Sequence, residues 1–253
     1  MRPRVFPGPA VVLALVAVLA AACNQTEEIR ADAIAGSTPV TFASADGVQL
    51  AGRLFGDPQQ ARTGVVFSHM LPADQSSWFD FAKRIADEGY LALTYDLRGY
   101  CPGGDAGCST GEKDASAANT DLAAAVAFLR SKGAETIALV GASVGGTASL
   151  VVAAQEGDGV AAVITLSAPQ TIDGLVAGPD VLAGIPAAKL FIAGNGDGTA
   201  AEAAQTFSEE AQTPPTRLEI VTSGDHGTAL LEGNQAEIVR NLILAELAQY
   251  APA

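Results

Sequence analysis

The stretch Ile137-Ala-Leu-Val-Gly-Ala-Ser-Val-Gly-Gly-Thr147 constrains this 253-residue chain more than any other. An apolar run with strand character, Ile137 to Val140, meets Gly141-Ala142-Ser143-Val144-Gly145, and a helix-forming segment comes immediately after. In the order strand, turn, helix, a G-x-S-x-G pattern lets strand and helix pass closely while the serine hydroxyl stands clear of the backbone. A serine hydroxyl is a weak nucleophile and needs a base within reach. The helix N-terminus, beginning at Val144, points its N–H groups at the place where an oxyanion would form. Taken alone, the same pattern also suits a phosphate-binding turn or a helix packed tightly on a sheet.

The residues beyond Ser143 favour catalysis. The chain has two histidines, His69 and His226, and of these His226 lies on the C-terminal side of the serine. It sits in Ser223-Gly-Asp-His-Gly227, just after the strand-like run Arg217 to Thr222. Between serine and histidine another apolar run, Ala188 to Ala193, ends in Gly194-Asn-Gly-Asp-Gly198. The order Ser143, Asp197, His226, each at the end of a strand, is that of a nucleophile, an orienting acid and a base. Asp173, after the preceding strand, competes with Asp197 for the acid. Asp225 is too near His226 in sequence to fold back on its ring and reads as loop chemistry.

With these residues in place, the chain resembles the α/β-hydrolase fold family over about residues 40 to 250, in particular its capless esterase and dienelactone-hydrolase-like branch. Thr63-Gly-Val-Val-Phe-Ser-His69 resembles the family's third strand, whose end carries a His-Gly pair before an oxyanion loop. Here the pair reads His69-Met70. Asp96-Leu-Arg-Gly99 resembles the D-x-R-G stretch after the fourth strand, which is usually structural. The resemblance implies a mostly parallel twisted sheet with helices on both faces. It also implies an oxyanion hole formed by the backbone N–H of Val144 and that of Leu71, or alternatively Met70. His69 reads as a buried histidine that pins its loop.

The rest of the chain is consistent with one such domain. Val40 to Ser44 and Val48 to Leu54, joined through Asp46-Gly47, form a hairpin. Helical patterns cover Ser77 to Glu88, with Trp78 and the phenylalanines as core residues, then Asp114 to Arg130 and about Ala229 to Tyr250. Alternating strands and helices give a parallel sheet covered on both faces. Only about 18 residues, between Pro169 and Ala187, are available for a cap. Leu175, Val176, Val181, Leu182 and Ile185 are expected to wall a shallow, open site.

The N-terminus points to export. Arg2 and Arg4 precede an apolar stretch from Ala10 to Ala22 that is too short for a bilayer, which takes about 20 residues, but suits a signal peptide. Leu19-Ala-Ala-Ala-Cys23 resembles a bacterial lipobox, which implies lipidation of Cys23 and a membrane anchor; an ordinary secretory signal is the alternative. The resulting division is a signal over 1–22, Cys23 and a tether to residue 38, and a domain over 39–253. Cys101 and Cys108 close a short glycine-rich loop and read as a disulfide in an exported protein. No histidine or third thiol stands near them, so no metal is expected, and the chemistry calls for no cofactor. Loss of the signal moves the formal charge from −14 to about −16. That balance argues against nucleic acid as a partner. A monomer is expected.

The function expected is a serine hydrolase of carboxylic esters, acting on small-molecule, lipid or polymer substrates. Thioesterase, acyltransferase and peptidase activities use the same chemistry. The other class is a binding or scaffold lipoprotein on a hydrolase fold without turnover.

Overall fold

The computed structural model describes residues 34–101, 107–211, 213 and 215–253. The signal segment, Cys23 and most of the tether lie outside the described residues. The tether ends sooner than expected: Ser37 and Thr38 already belong to the first strand. Ser37 Oγ accepts from Arg53 Nε at 2.7 Å, and Ile34 packs on the core.

The expected hairpin opens the fold, with β1 (Ser37–Ala43) antiparallel to β2 (Gln49–Phe55) and Gly47 in the turn at φ +87°. Next come β3 (Thr63–Ser68), α1 (Phe79–Asp87), β4 (Leu91–Tyr95), α2 (Ala118–Ser131), β5 (Thr136–Ala142), α3 (Val144–Glu156) and β6 (Ala162–Leu166). A small hairpin of β7 (Thr171–Ile172) and β8 (Leu175–Val176) leads to the short α4 (Pro179–Ala183). The chain closes with β9 (Ala188–Gly194), α5 (Gly198–Glu210), β10 (Thr216–Val221) and α6 (Ala236–Tyr250).

Eight strands form one sheet in the order β1-β2-β4-β3-β5-β6-β9-β10, antiparallel as far as β4 and parallel from there on. Side chains of successive strand residues point to opposite faces, and both faces are covered. Val66, Leu139, Val163 and Phe191 pack with Leu122 and Leu129 of α2, Leu150 of α3 and Phe207 of α5. Val65, Val140, Ile164 and Ile192 pack with Phe81 and Ile85 of α1 and Ile243 and Leu247 of α6. Burial on both sides explains why these strands read as continuous apolar runs. The carboxyl ends of the parallel strands share one edge, where ligands bind in open sheets of this kind.

The helices differ from the periodicity at their starts. Two open on a 3₁₀ turn, Gln75–Trp78 before α1 and Ala115–Ala117 before α2, with the Asp74 and Asp114 side chains accepting from Ser76 and Ser116 N–H. The last predicted helix splits into a 3₁₀ turn over Gly227–Leu231 and α6. At the break Gly233 lies against the Asp225 carboxylate, which an added side chain would have to displace.

The expected apolar wall of residues 175–185 is also corrected. Leu175, Leu182 and Ile185 are buried in the core, and Val176 is the one that stands out, 49% exposed. The hairpin and α4 use this segment's apolar residues to pack on α3 and α5.

The Asp96-Leu-Arg-Gly99 stretch is structural, as expected. Arg98 donates from Nε and Nη2 to the buried Asp121 of α2, and from Nη1 to Asp46 in the first hairpin turn at 2.8 Å. Asp96 is fully buried and accepts from the Gln75 backbone N–H at 2.9 Å and from Gln75 Nε2 at 2.6 Å. Desolvation outweighs these bonds and pushes its carboxyl up to about 7. Between about 4 and 7 the folded chain therefore holds a proton that the unfolded chain has lost, so stability falls as pH rises through that range. Measured by urea unfolding, the wild type should lose about 2–4 kcal/mol relative to Asp96→Asn between pH 4 and pH 8. A constant difference across that range rules out the buried carboxyl as the source.

Candidate active site

Ser143 occupies the turn between β5 and α3 with φ 49° and ψ −118°, a strained backbone for a residue with a side chain. Close crossing is what forces the turn. Gly141 faces the Gly145 carbonyl, and Gly145 lies against the carbonyls of Ser68 and His69 at the end of β3, so a Cβ at either glycine would collide with backbone. The turn is tied to β6, because Ser143 N–H donates to Leu166 O at 2.9 Å. Val144 is the first residue of α3, where backbone N–H groups have no partner within the helix.

Asp197 and His226 meet. His226 Nδ1 lies 2.9 Å from Asp197 Oδ2 and 3.0 Å from Oδ1. Asp197 precedes α5 but makes no side-chain cap to it, its carboxylate being turned to the histidine. With Nδ1 taken, Nε2 is the ring nitrogen able to accept a proton. Asp173 does not compete: it is exposed at the tip of the β7–β8 hairpin with φ 46°, followed by Gly174 at φ 88°. Asp225 binds its own loop, accepting from Ser223 Oγ at 2.7 Å.

The histidine loop is brought to the serine turn by neighbouring residues. Gly227 N–H donates to Ser167 Oγ at 3.0 Å, and Ser167 directly succeeds the Leu166 that holds Ser143. A Cβ placed on Gly227 would sit 3.4 Å from Ala142 Cβ, one residue before the serine. Among the described residues no hydrogen bond joins Ser143 Oγ to the imidazole; such contacts often tighten only when substrate is bound. Ser167, at φ 54°, was not signalled by the sequence, where Ser-Ala-Pro reads as an ordinary turn.

His69 is the buried pin expected of it. Its ring is fully buried, Nδ1 donates to Met70 O at 2.9 Å, and Nε2 accepts from Leu97 N–H at 3.0 Å. This pair of bonds fixes the neutral tautomer and ties the loop after β3 to the loop after β4. Leu71 and Met70 both lie partly buried in that loop. Leu71 also lines a cavity of about 220 Å³ with Tyr100, Lys113 and Asp173. The Lys113 ammonium lies over the Tyr100 ring at 4.1 Å, and the His69 ring meets the same tyrosine edge-on. Larger grooves of about 580 and 510 Å³ lie along α6 and α2 and carry no such constellation, so chemistry locates the site better than volume does.

Cys101 and Cys108 are joined by a disulfide, as expected. The segment it anchors runs along β2: Ser109 Oγ accepts from Ala51 N–H at 2.9 Å and donates to Asp96 O at 2.6 Å.

Residues 64–226 match the sequence profile described as alpha/beta hydrolase fold, and the chain belongs to that family. Solved structures with the same architecture include an esterase of Pyrococcus furiosus, 18% identical with TM-score 0.69, the match covering 85% of this chain and 91% of that one. A dienelactone hydrolase from Anabaena variabilis is 21% identical with TM-score 0.68, covering 85% of this chain and 97% of that one. A thermophilic esterase from Thermogutta terrifontis is 18% identical with TM-score 0.62, covering 84% and 98%. At these identities the likeness is one of fold. A search of curated proteins gave no match.

Burial holds the His69 ring neutral and lowers its pKa to about 4. The unfolded chain takes up this proton near 6.5, so stability falls as pH drops from about 6.5 toward 4. Asp96 acts in the opposite sense over an overlapping range. Relative to His69→Asn, the wild type should lose about 2–3 kcal/mol between pH 7 and pH 4 in urea unfolding. A difference that does not change with pH shows that His69 is not buried neutral.

Proposed function

We propose that this protein is a serine hydrolase of carboxylic esters with Ser143 as nucleophile, His226 as base and Asp197 as orienting acid. The observation that carries the reading is the Asp197 carboxylate on His226 Nδ1, beside a strained serine at the start of α3. Ser143 Oγ attacks the ester carbonyl while His226 Nε2 takes its proton, and Asp197 stabilises the resulting imidazolium. The backbone N–H of Val144 and that of Leu71, or Met70, receive the developing oxyanion. His226 returns the proton to the departing alcohol, and a water activated by the same imidazole then releases the acyl group.

The site's covering is slight, a small hairpin and one short helix between β6 and β9. Such an opening suits short acyl esters and substrates too large to enclose. Structural kinship with esterases and a dienelactone hydrolase supports hydrolysis in general and favours esters among the substrates that the same chemistry can cleave. The second reading is a binding protein without turnover, favoured by the methionine that stands at position 70 in place of the family's glycine.

A fluorophosphonate probe separates the two by labelling an activated serine. The wild type should be labelled at Ser143. Ser143→Ala should lose labelling and lower hydrolysis of a p-nitrophenyl ester by about 10⁴ or more with the fold intact. Asp197→Asn should lower kcat by a comparable factor, because the imidazole loses its tautomer. Wild-type turnover in Ser143→Ala refutes the assignment.

We propose further that the chain is exported and anchored to the cell envelope through lipid on Cys23. Support comes from two arginines, a short apolar segment and three alanines before the cysteine, together with a disulfide, which persists in oxidising compartments. Intact-mass measurement of protein extracted from membranes should show a chain beginning at a lipid-modified Cys23. A soluble chain beginning elsewhere, or an unmodified Cys23, overturns this proposal.

A further inference from the structure

We infer that Met70 is a positioning residue of this site, its thioether acting as the spacer between the loop after β3 and the loop that carries His226. The inference rests on the hydrolase reading above. Met70 departs from the family's His-Gly pair, and the space its side chain occupies is left by a second glycine. A Cβ added to Gly227 would lie 2.5 Å from Met70 Sδ and 3.6 Å from Met70 Cβ. Gly227 adopts φ +58°, so both its backbone and its missing side chain accommodate the methionine. The same point lies 3.4 Å from Ala142 Cβ, so residues next to the nucleophile, next to the base and within the loop after β3 converge on the space beside Gly227.

Both ends of this contact are fixed. On the Met70 side, its carbonyl accepts from the buried His69, and its side chain packs on the core under α1 and α6. On the other side, Gly227 N–H is held by Ser167 Oγ. Between two anchored loops, the flexible, polarisable methionine fills an irregular gap. Deleting it leaves a gap beside Gly227, the residue after His226, and the loop can shift into it. A displacement on the order of 1 Å is enough to cost a large factor in the proton-transfer step. A displaced base acts on the proton-transfer step, so the loss is expected in kcat.

Three variants of the contact test this. Met70→Ala should lower kcat for a p-nitrophenyl ester between tenfold and a hundredfold while KM changes by no more than about threefold. Met70→Leu, close in volume, should recover most of kcat. The third is chemical: hydrogen peroxide transfers one oxygen to the thioether, giving the sulfoxide and water. The sulfoxide is bulkier and more polar than the thioether beside Gly227, so wild-type activity should fall in step with Met70 sulfoxide measured by mass spectrometry, and Met70→Leu should be unaffected.

The imidazole NMR signals give a readout independent of turnover, since the chain has two histidines. His226 should shift in Met70→Ala and return toward its wild-type position in Met70→Leu. Wild-type kcat with an unmoved His226 in Met70→Ala overturns the inference. So does a loss that leucine fails to restore, or full activity with Met70 fully oxidised. A wild type that resists fluorophosphonate and does not hydrolyse esters sinks the hydrolase reading instead, and the His226 signal still reports on the spacer.

Discussion

The close crossing of α3 over the ends of β3 and β5 is the contact on which the candidate site depends. Gly141 and Gly145 permit it, since side chains there would strike the carbonyls of Gly145, Ser68 and His69. Once helix and strand are this near, the single residue linking them has to take a left-handed backbone, and that residue is Ser143. The strain at the serine is therefore imposed by packing elsewhere. It sets the serine, itself buried, at the first turn of the helix, where unpaired N–H groups gather. The loop after β3 depends on the same contact, because the carbonyls that Gly145 meets belong to the residues leading into it.

Much of this was legible in the sequence. The inner strands β3, β4, β5, β6 and β9 are buried on both faces and so appear as apolar runs, and the order of Ser143, Asp197 and His226 at strand ends is a linear pattern. The choice between Asp197 and Asp173 was not legible, since both come after strands and both precede a glycine. Sheet order decides it: β9 lies between β6 and β10, so the loop after β9 is one strand away from the histidine loop. Residue 173 instead turns a hairpin that a count of residues cannot distinguish from a connection. Leu182 and Ile185 were misplaced for a similar reason, because apolar residues in a short connection can face either the core or the solvent. The break before α6 was hidden because Gly233 is answered by Asp225, a contact that leaves no periodic trace.

Beneath the site lies a layer of buried polar groups. His69, Asp96 and Gln75 are all fully buried, and between them they bind the loops after β3 and β4 and the edge of β2. Each is satisfied by backbone or by a neighbour, as buried polar groups must be. The neutral state of His69 sets it apart from the half-exposed His226, whose ring meets Asp197.

The topology also dictates when the site can exist. The central strand β3 pairs with β4 on one side and with β5, some seventy residues later, on the other. Long loops must close before the middle of such a sheet is rewarded with contacts, which slows folding of parallel architectures. The histidine loop comes later still, after β10, and is seated against Ala142 of β5 and Ser167 just past β6, strands that must already be in register. Assembly around Ser143 is thus among the final events along the chain. A chain captured part-way through synthesis has its serine turn in place long before the loop that carries His226.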